Sequence, residues 1–397
     1  MSIYRRRKTA ISELREEIEE RILERLPTRD AARCALLSTQ WRDAWYRQGR
    51  LVFDSAFYSS IRNRKDDCSS VVSIINNILM LRAGPVKKFT FYTSSSSEQP
   101  LKQSDLDRWC LFLSRNGVEE LHLSAPYGLT KYKVPSCLLW CKTIKQLKVE
   151  FILFDFPANA ACIFPGMTSS YFRLVEFRGN DKGLVFSMPK LKKLGLYFCA
   201  GIPNFVTSTP NLKSLSINNF TSSTGRTLLP LHLSCIKTLS LSLCSHAAVA
   251  VASTAFPTAI NLEEIKLHGF NFGFGMHLPF AVQLLKKSPK LFVLEINIWK
   301  GSEAADSELL EDTIEDHLRT LEIVKLNGFR ASEMELCLVK LLLSKSPALH
   351  HFVIRAAQSI NDSLHFEATK KLLNFPRASP KSQIVYHSGA QILKKRI

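Results

Sequence analysis

The sequence predicts an α/β chain in which a short helical module leads into a curved solenoid of parallel strands. Three observations carry that prediction. First, a six-residue phrase, apolar at its first, fourth and sixth positions, returns along the chain: LKKLGL from Leu191, LKSLSI from Leu212, IKTLSL from Ile236, LEEIKL from Leu262, LFVLEI from Leu291 and LEIVKL from Leu321. Looser copies start at Val86, Val118, Ile144 and Leu349, and LVEF at Leu174 reads as a broken one, because Gly179 falls where the last apolar residue belongs. Second, successive starts lie 17 to 32 residues apart, the period of stacked repeats. Third, strong helical periodicity gathers in residues 11–47, ahead of the repeats.

The phrase has a physical reading. Its last three residues alternate apolar, polar, apolar, which suits a short strand with one buried face. One such unit cannot bury its own apolar side, so neighbours must stack and pair in parallel. The middle residue of each strand then points outward: Thr90, His122, Lys148, Gly195, Ser216, Ser240, Lys266, Glu295, Lys325 and Val353.

Composition narrows the class. An apolar fraction of 46% in 397 residues supports a folded core. No run of eighteen apolar residues points to a membrane span. The basic start, MSIYRRRKTA, has no apolar stretch behind it, so no secretory leader is expected and the nucleus or cytoplasm is. The net charge of +18 falls in pairs such as Lys87-Lys88, Lys192-Lys193 and Lys286-Lys287, which suits an acidic partner and permits non-specific nucleic-acid binding. The ten cysteines are irregularly spaced and mostly set in apolar phrases, as Cys199 and Cys235 are, so free buried thiols are expected rather than a disulfide framework or zinc site.

Within the module, Leu14, Ile18, Ile22 and Leu26 repeat at helical spacing, with Ser12 as the expected cap and Glu13, Glu16 and Glu17 in the first turn. Pro27 ends that helix, Thr28 is positioned to cap a second, and Ser38 or Thr39 starts a third carrying Trp41, Ala44 and Trp45. LPTRDAARCALLSTQWRDAW, from Leu26 to Trp45, resembles the F-box of plant F-box proteins. The resemblance rests on the Leu26-Pro27 turn, Asp30 and Arg33, Leu37-Ser38 and the two tryptophans. It implies docking to a Skp1-like adaptor and through it to a cullin–RING ubiquitin ligase, with Leu14, Ile18, Leu26, Pro27 and Leu37 facing the adaptor. Two residues depart from the family pattern: Arg15 stands at the usual proline and Glu19 at a usual leucine. Glu19 is therefore expected to place a carboxylate at an apolar adaptor contact, which costs free energy if it is buried unpaired.

Beyond the module, RLVF at 50–53 is strand-like, Val71–Leu81 is a helix ended by Gly84-Pro85, and Asp105–Leu113 is a second helix. The stretches 63–70 and 93–100 read as loops. From residue 150 to 235 the returns between strands read as irregular. SMPKL, STPNL, KSPKL and KSPAL each place proline in a turn just before a buried leucine. The loop HGFNFGFGMHLPF offers Phe272 and Phe274 either as an aromatic binding loop or as core filling ahead of a helix over 280–287. Residues 303–318 read as an acidic surface helix. NFPRASPKSQIVY and the segment before it resemble the FBD domain of plant F-box proteins; by residue pattern Glu333–Leu343 reads as a helix, Leu349–Ile354 as a strand, Phe366–Leu373 as a helix and Gln383–Tyr386 as a last strand covering the solenoid edge.

The expected organisation is a basic tail at 1–10, the F-box at 11–48, a leucine-rich-repeat solenoid at 49–332, an FBD-like cap at 333–386 and a basic tail at 387–397. No GxSxG, Walker loop, HExxH or credible carboxylate pair occurs, so no catalytic residue, metal or cofactor is expected. The resemblance implies a substrate-recognition subunit, with Lys148, Ser216, Ser240, Lys266, Phe272, Phe274 and Lys325 as candidates for holding a target protein. The alternatives are a ligase-independent scaffold and, on charge alone, a nucleic-acid binder.

Overall fold

A computed structural model describes residues 14–62, 71–92, 101–126, 132–156, 162–178, 185–201, 206–218, 235–243, 261–274, 277–299, 318–358, 362–388 and 391–396. The chain forms two compact units, Met1–Arg178 and Gly179–Ile397. The division falls inside the stretch expected as one run of repeats.

The first unit opens with helices α1 (Glu16–Arg25), α2 (Thr28–Cys34) and α3 (Thr39–Arg47). The expected cap Ser12 lies outside the described residues, and Arg15, in extended conformation, is the residue from which α1 starts. Thr28 is not a cap either. It is the first residue of α2, and its hydroxyl accepts the Val52 amide (2.8 Å), fastening the module to the first strand. Ser38 does cap α3, accepting from the Trp41 amide (3.2 Å), and Trp41, Ala44 and Trp45 are buried as their spacing predicts.

Strands β1 (Arg50–Phe53), β2 (Lys88–Tyr92), β3 (Glu120–Ser124), β5 (Gln146–Glu150) and β7 (Ser169–Arg173) pair in parallel in that order. Short strands β4 (Tyr132–Lys133), β6 (Ile152–Asp155) and β8 (Glu176–Arg178) form a side sheet. Helices α4 (Ser55–Arg62), α5 (Val71–Met80), α6 (Gln103–Arg115) and α7 (Ser136–Leu139) fill the returns. The apolar positions of the phrase make the core: Phe89, Leu121, Leu147 and Val149 are buried, as are Ile75 and Leu79 of α5 and Leu113 and Trp109 of α6, the last packed against Phe89 and Phe91. Each such side chain contributes about 1.5–3 kcal/mol by leaving water.

One strand lies elsewhere than expected. LVEF is not a broken copy of the phrase; it feeds the side strand β8. The true copy is MTSSYF from Met167, because Ser170 and Phe172 stand opposite Leu147 and Val149. Successive starts from Ile144 to Leu191 are then 23 and 24 residues apart rather than 30 and 17. Ser170 occupies the apolar position and is buried, which hid the copy from a hydrophobic pattern.

The second unit carries β10 (Lys193–Tyr197), β12 (Ser214–Asn218), β13 (Thr238–Ser242), β14 (Glu264–Phe270), β15 (Val293–Ile298), β16 (Ile323–Phe329), β17 (His351–Ala356) and β18 (Gln383–Ser388), parallel and adjacent in that order. β9 (Val185–Ser187) and β11 (Val206–Ser208) pair separately. Helices α8 (His277–Lys286), α9 (Glu333–Lys345) and α10 (Asp362–Leu373) supply returns. The expected turn recurs: the amides of Leu191, Leu212, Leu291 and Leu349 each donate to the carbonyl three residues back, at 3.1–3.3 Å, around the proline between them. Gln383–Tyr386 lies in β18 but is not the last strand. β19 (Gln391–Arg396), drawn from the stretch read as a tail, pairs antiparallel with it. Its basic composition does not bar it, since lysine-rich strands are common at sheet edges. Of the acidic stretch 303–318 only Leu318 is described, and it is buried. Among the described cysteines none is disulfide-bonded, and Cys235 is exposed rather than buried.

Candidate functional site

Two surfaces gather the residues singled out by sequence. The first is the outer face of the three-helix module. Leu23 is fully buried on the inner side of α1, where the Gln48 side chain donates to its carbonyl (2.8 Å). Arg50 donates to the carbonyls of Glu24 (3.1 Å) and Leu26 (3.2 Å), and Arg47 pairs with Glu20 (3.2 Å) and Glu16. These bonds fix the inner face against β1 and α3 and leave the opposite stripe outward. Ile18 is 43% exposed and Leu37 69% exposed; Pro27 is exposed, and Leu14 and Leu26 are half-buried. Leu36, at 86% exposure in the turn between α2 and α3, and Ile22, at 36% on α1, join them; neither was among the expected contacts, although Ile22 shares the helical spacing. The Gln40 amide donates to the Leu14 carbonyl (3.1 Å), tying the front of α1 to the front of α3 beside Leu37. Scattered exposed leucines are ordinary on proteins, but several on one small module are not.

Glu19 is not where the family pattern places it. It lies on the inner side of α1 with no exposure, and neither carboxylate oxygen has a partner within hydrogen-bond geometry. Burial pushes its carboxyl above the usual range, with the Gln40 amide opposing. Glu19 and Leu23 are one turn apart, on a stripe about 100° round the helix from Ile18 and Ile22, and that stripe is the one held against the module's interior, where Gln48 donates to the Leu23 carbonyl. Arg15 is exposed at the start of α1. An open cleft of about 370 Å³ beneath Pro27 sets Arg25, Arg29 and Arg50 against Asp30 and Asp54.

The second surface is the outward face of the strands, where hydrogen bonding confirms the register expected for the middle residues. In the first unit Lys148 lies between His122 and Tyr171. It is tied down, with its ammonium 2.8 Å from Glu150 and 5.1 Å above the Tyr171 ring. His122 and Arg173, each at 3.6 Å, complete the setting of Glu150, which is buried. The His122 ring and then the Lys148 ammonium hold the Glu150 carboxyl down at about 2, against burial, which acts the other way. Sequence reasoning missed Glu150 because it is the residue after the phrase.

In the second unit Ser216, Ser240, Lys266, Glu295 and Lys325 stand in one row. Ser216, Ser240, Lys266 and Lys325 are half-exposed, and Lys266 pairs with Glu264 (3.0 Å). Phe272 is not on this surface. It is buried against Phe270 at 5.0 Å between ring centroids, because Gly269 at φ +67° turns the strand end inward. Phe274 is half-buried, 5.3 Å from the ring of His277, whose Nδ1 accepts the Asn271 amide (3.0 Å). The core reading therefore describes Phe272. Among the described residues, no three His, Cys, Asp or Glu side chains are grouped to hold a metal ion, and no helix is long and apolar enough to cross a membrane.

Comparison with known proteins matches two stretches of the chain to families. The F-box domain family matches residues 11–53, and the family described as the At1g61320/AtMIF1 LRR domain matches residues 78–378. F-box/FBD/LRR-repeat protein At1g13570 of Arabidopsis thaliana is 28% identical over 415 residues, covering 95% of this chain and 98% of that protein. Putative F-box/LRR-repeat protein At3g42770 of the same plant is 22% identical over 434 residues, covering 94% and 79%. F-box protein At4g09920, also from Arabidopsis thaliana, is 27% identical over 210 residues, covering 51% and 64%.

Proposed function

Because the chain belongs to the plant F-box/FBD/LRR-repeat protein family, we propose that it receives target proteins for a Skp1–cullin–F-box ubiquitin ligase. Its helical module docks the Skp1-like adaptor, and its strand face holds the target. The chain performs no chemistry in this role; it supplies proximity to enzymes carried by the complex. One observation carries the reading: Ile18, Ile22, Leu36 and Leu37 stay exposed while the module is fastened to β1 through its other side. A module serving only as a cap for the first repeat has no reason to keep its apolar stripe in water. Glu19 does not count against docking, because its carboxylate is turned away from that stripe.

Co-purification of the full chain with a Skp1-like adaptor tests this. Ile18→Asp with Leu37→Asp is expected to weaken the complex at least about a hundredfold, since central apolar contacts are worth about 2 kcal/mol each. Leu26→Asp with Pro27→Ala is expected to act in the same direction. The circular dichroism of the Ile18/Leu37 variant should match the unaltered chain, because both positions are exposed. An unchanged complex in that variant would move the docking surface away from Ile18 and Leu37, and no complex with any adaptor paralogue would turn the assignment to a ligase-independent scaffold.

A further inference from the structure

Lysines crowd the rim where the chain passes into the first strands of the second unit. Lys192 and Lys193 precede or open β10, Lys213 precedes β12 and Lys237 precedes β13; all four are exposed. Backbone pairing puts them in a row: the Lys213 amide donates to Lys192 (2.9 Å) and the Lys237 amide to Lys213 (2.8 Å). Adjacent strands are about 4.8 Å apart, so these like charges are held well within one another's field. Glu263 takes Lys237 at 2.5 Å. Lys192, Lys193 and Lys213 have no carboxylate partner among the described residues. Below the rim the outward side chains are small. Gly195, Ser216 and Ser240 stand side by side; Gly195 is buried, and the half-exposed Ser216 and Ser240 leave room for a second chain to reach the sheet beside it.

A second observation shows what kind of group this floor seeks. A relay of side chains crosses the same face. Arg355 Nη1 donates to Asn327 Oδ1 (3.0 Å); Asn327 Nδ2 donates to Asn297 Oδ1 (2.7 Å) and to Glu295 Oε1 (3.1 Å). Asn297 Nδ2 lies 3.0 Å from His268 Nδ1, and His268 Nε2 lies 3.1 Å from Ser240 Oγ. A guanidinium can only donate and a carboxylate can only accept, so Arg355 and Glu295 fix the orientation of both amides. His268 Nδ1 must then accept, and the neutral ring carries its proton on Nε2 and gives it to Ser240. Burial favours that neutral ring by lowering its pKa. The relay therefore runs in one direction, and Ser240 ends it with its own hydroxyl proton uncommitted among the described residues. Beside it the lysines are donors as well, so this corner offers mainly protons and positive charge, with Asn218 Oδ1, two residues along β12 from Ser216, as an unpaired acceptor.

We propose that the rim of Lys192, Lys193, Lys213 and Lys237, with Ser216 and Ser240 beneath it, holds an extended segment of the target protein rich in aspartate and glutamate. The inference rests on the target-receiving role proposed above and gives that target its chemistry. From β10 to β13 the row spans about 10 Å, the length of about three extended residues.

The probe is a fluorescein-labelled peptide alternating glutamate and glycine, titrated by anisotropy against the full chain at near-physiological salt. Adaptor capture is measured on the same preparation. Lys192→Gln with Lys213→Gln is expected to weaken the peptide about tenfold, and Ser240→Ala about threefold with recovery in Ser240→Thr. Lys286→Gln with Lys381→Gln, two exposed lysines away from the row, should change affinity less than about twofold. Equal weakening by that second pair would reduce the effect to bulk charge and overturn the proposal. So would absence of peptide binding, or tighter binding of a single-stranded oligonucleotide through the same lysines. Peptide binding without adaptor capture would count against the ligase role alone; adaptor capture without peptide binding would count against the acidic segment alone.

Discussion

Single residues decide how the two surfaces behave, and the charged ones are the most instructive. Glu19 and Glu150 are both buried carboxylates with opposite fates. Glu19 has no ionic partner, and burial raises its carboxyl. Glu150 sits among His122, Lys148 and Arg173, and its carboxyl falls to about 2. A carboxyl depressed by folding stabilises the native state above its unfolded value and loses that contribution as pH falls through the folded one. Glu150 should thus support the first unit fully above about pH 5 and progressively less toward pH 2, by at most about 3 kcal/mol. Thermal melts of Glu150→Gln and the unaltered chain check this: the gap between them should be widest near neutrality and close on acidification. A gap that is constant with pH would mean the carboxylate is not the stabilising species. Both glutamates are legible as residues; their environments are not, because each depends on side chains brought from other strands or helices.

At the scale of elements, proline turns locate a repeat that the apolar pattern misses. Pro189, Pro210, Pro289 and Pro347 each lie two residues before the first apolar residue of a phrase, and Pro165 stands in the same relation to Met167. That spacing is the signal that could have found the hidden copy, since the Met167 amide closes the same turn on the Phe164 carbonyl (3.0 Å). Ser170 defeats an apolar template, but turn geometry survives the substitution because proline fixes its own φ whatever follows. Glycine marks a different device. β14 and β16 both slip register at a glycine, between His268 and Phe270 and between Asn327 and Phe329. Gly328 has φ +81°, and a Cβ there would meet the Ile298 carbonyl oxygen at 2.5 Å. Gly328→Ala is therefore expected to cost about 2 kcal/mol or more, read as a lowered denaturation midpoint with unchanged slope. A midpoint within error of the unaltered chain would show that the bulge relaxes freely.

At the scale of the whole molecule, each unit must manage what its repeats leave open. The second unit ends β18 against β19 rather than in water. Truncation after Ser388 would bare a row of backbone donors and acceptors on β18. Such a chain should self-associate, visible as a rise in light-scattering mass with concentration, whereas the full chain should not. The sequence by itself determined the repeating strands, the buried phrase positions, the turns before them and the helical module, because each follows from spacing within one segment. The tertiary structure alone decided that Glu19 turns inward, that Phe272 is core, that Ser170 completes a strand and that Arg355 sets the tautomer of His268. Those outcomes depend on which strands and helices become neighbours, and partners far apart in the chain leave no local pattern to read.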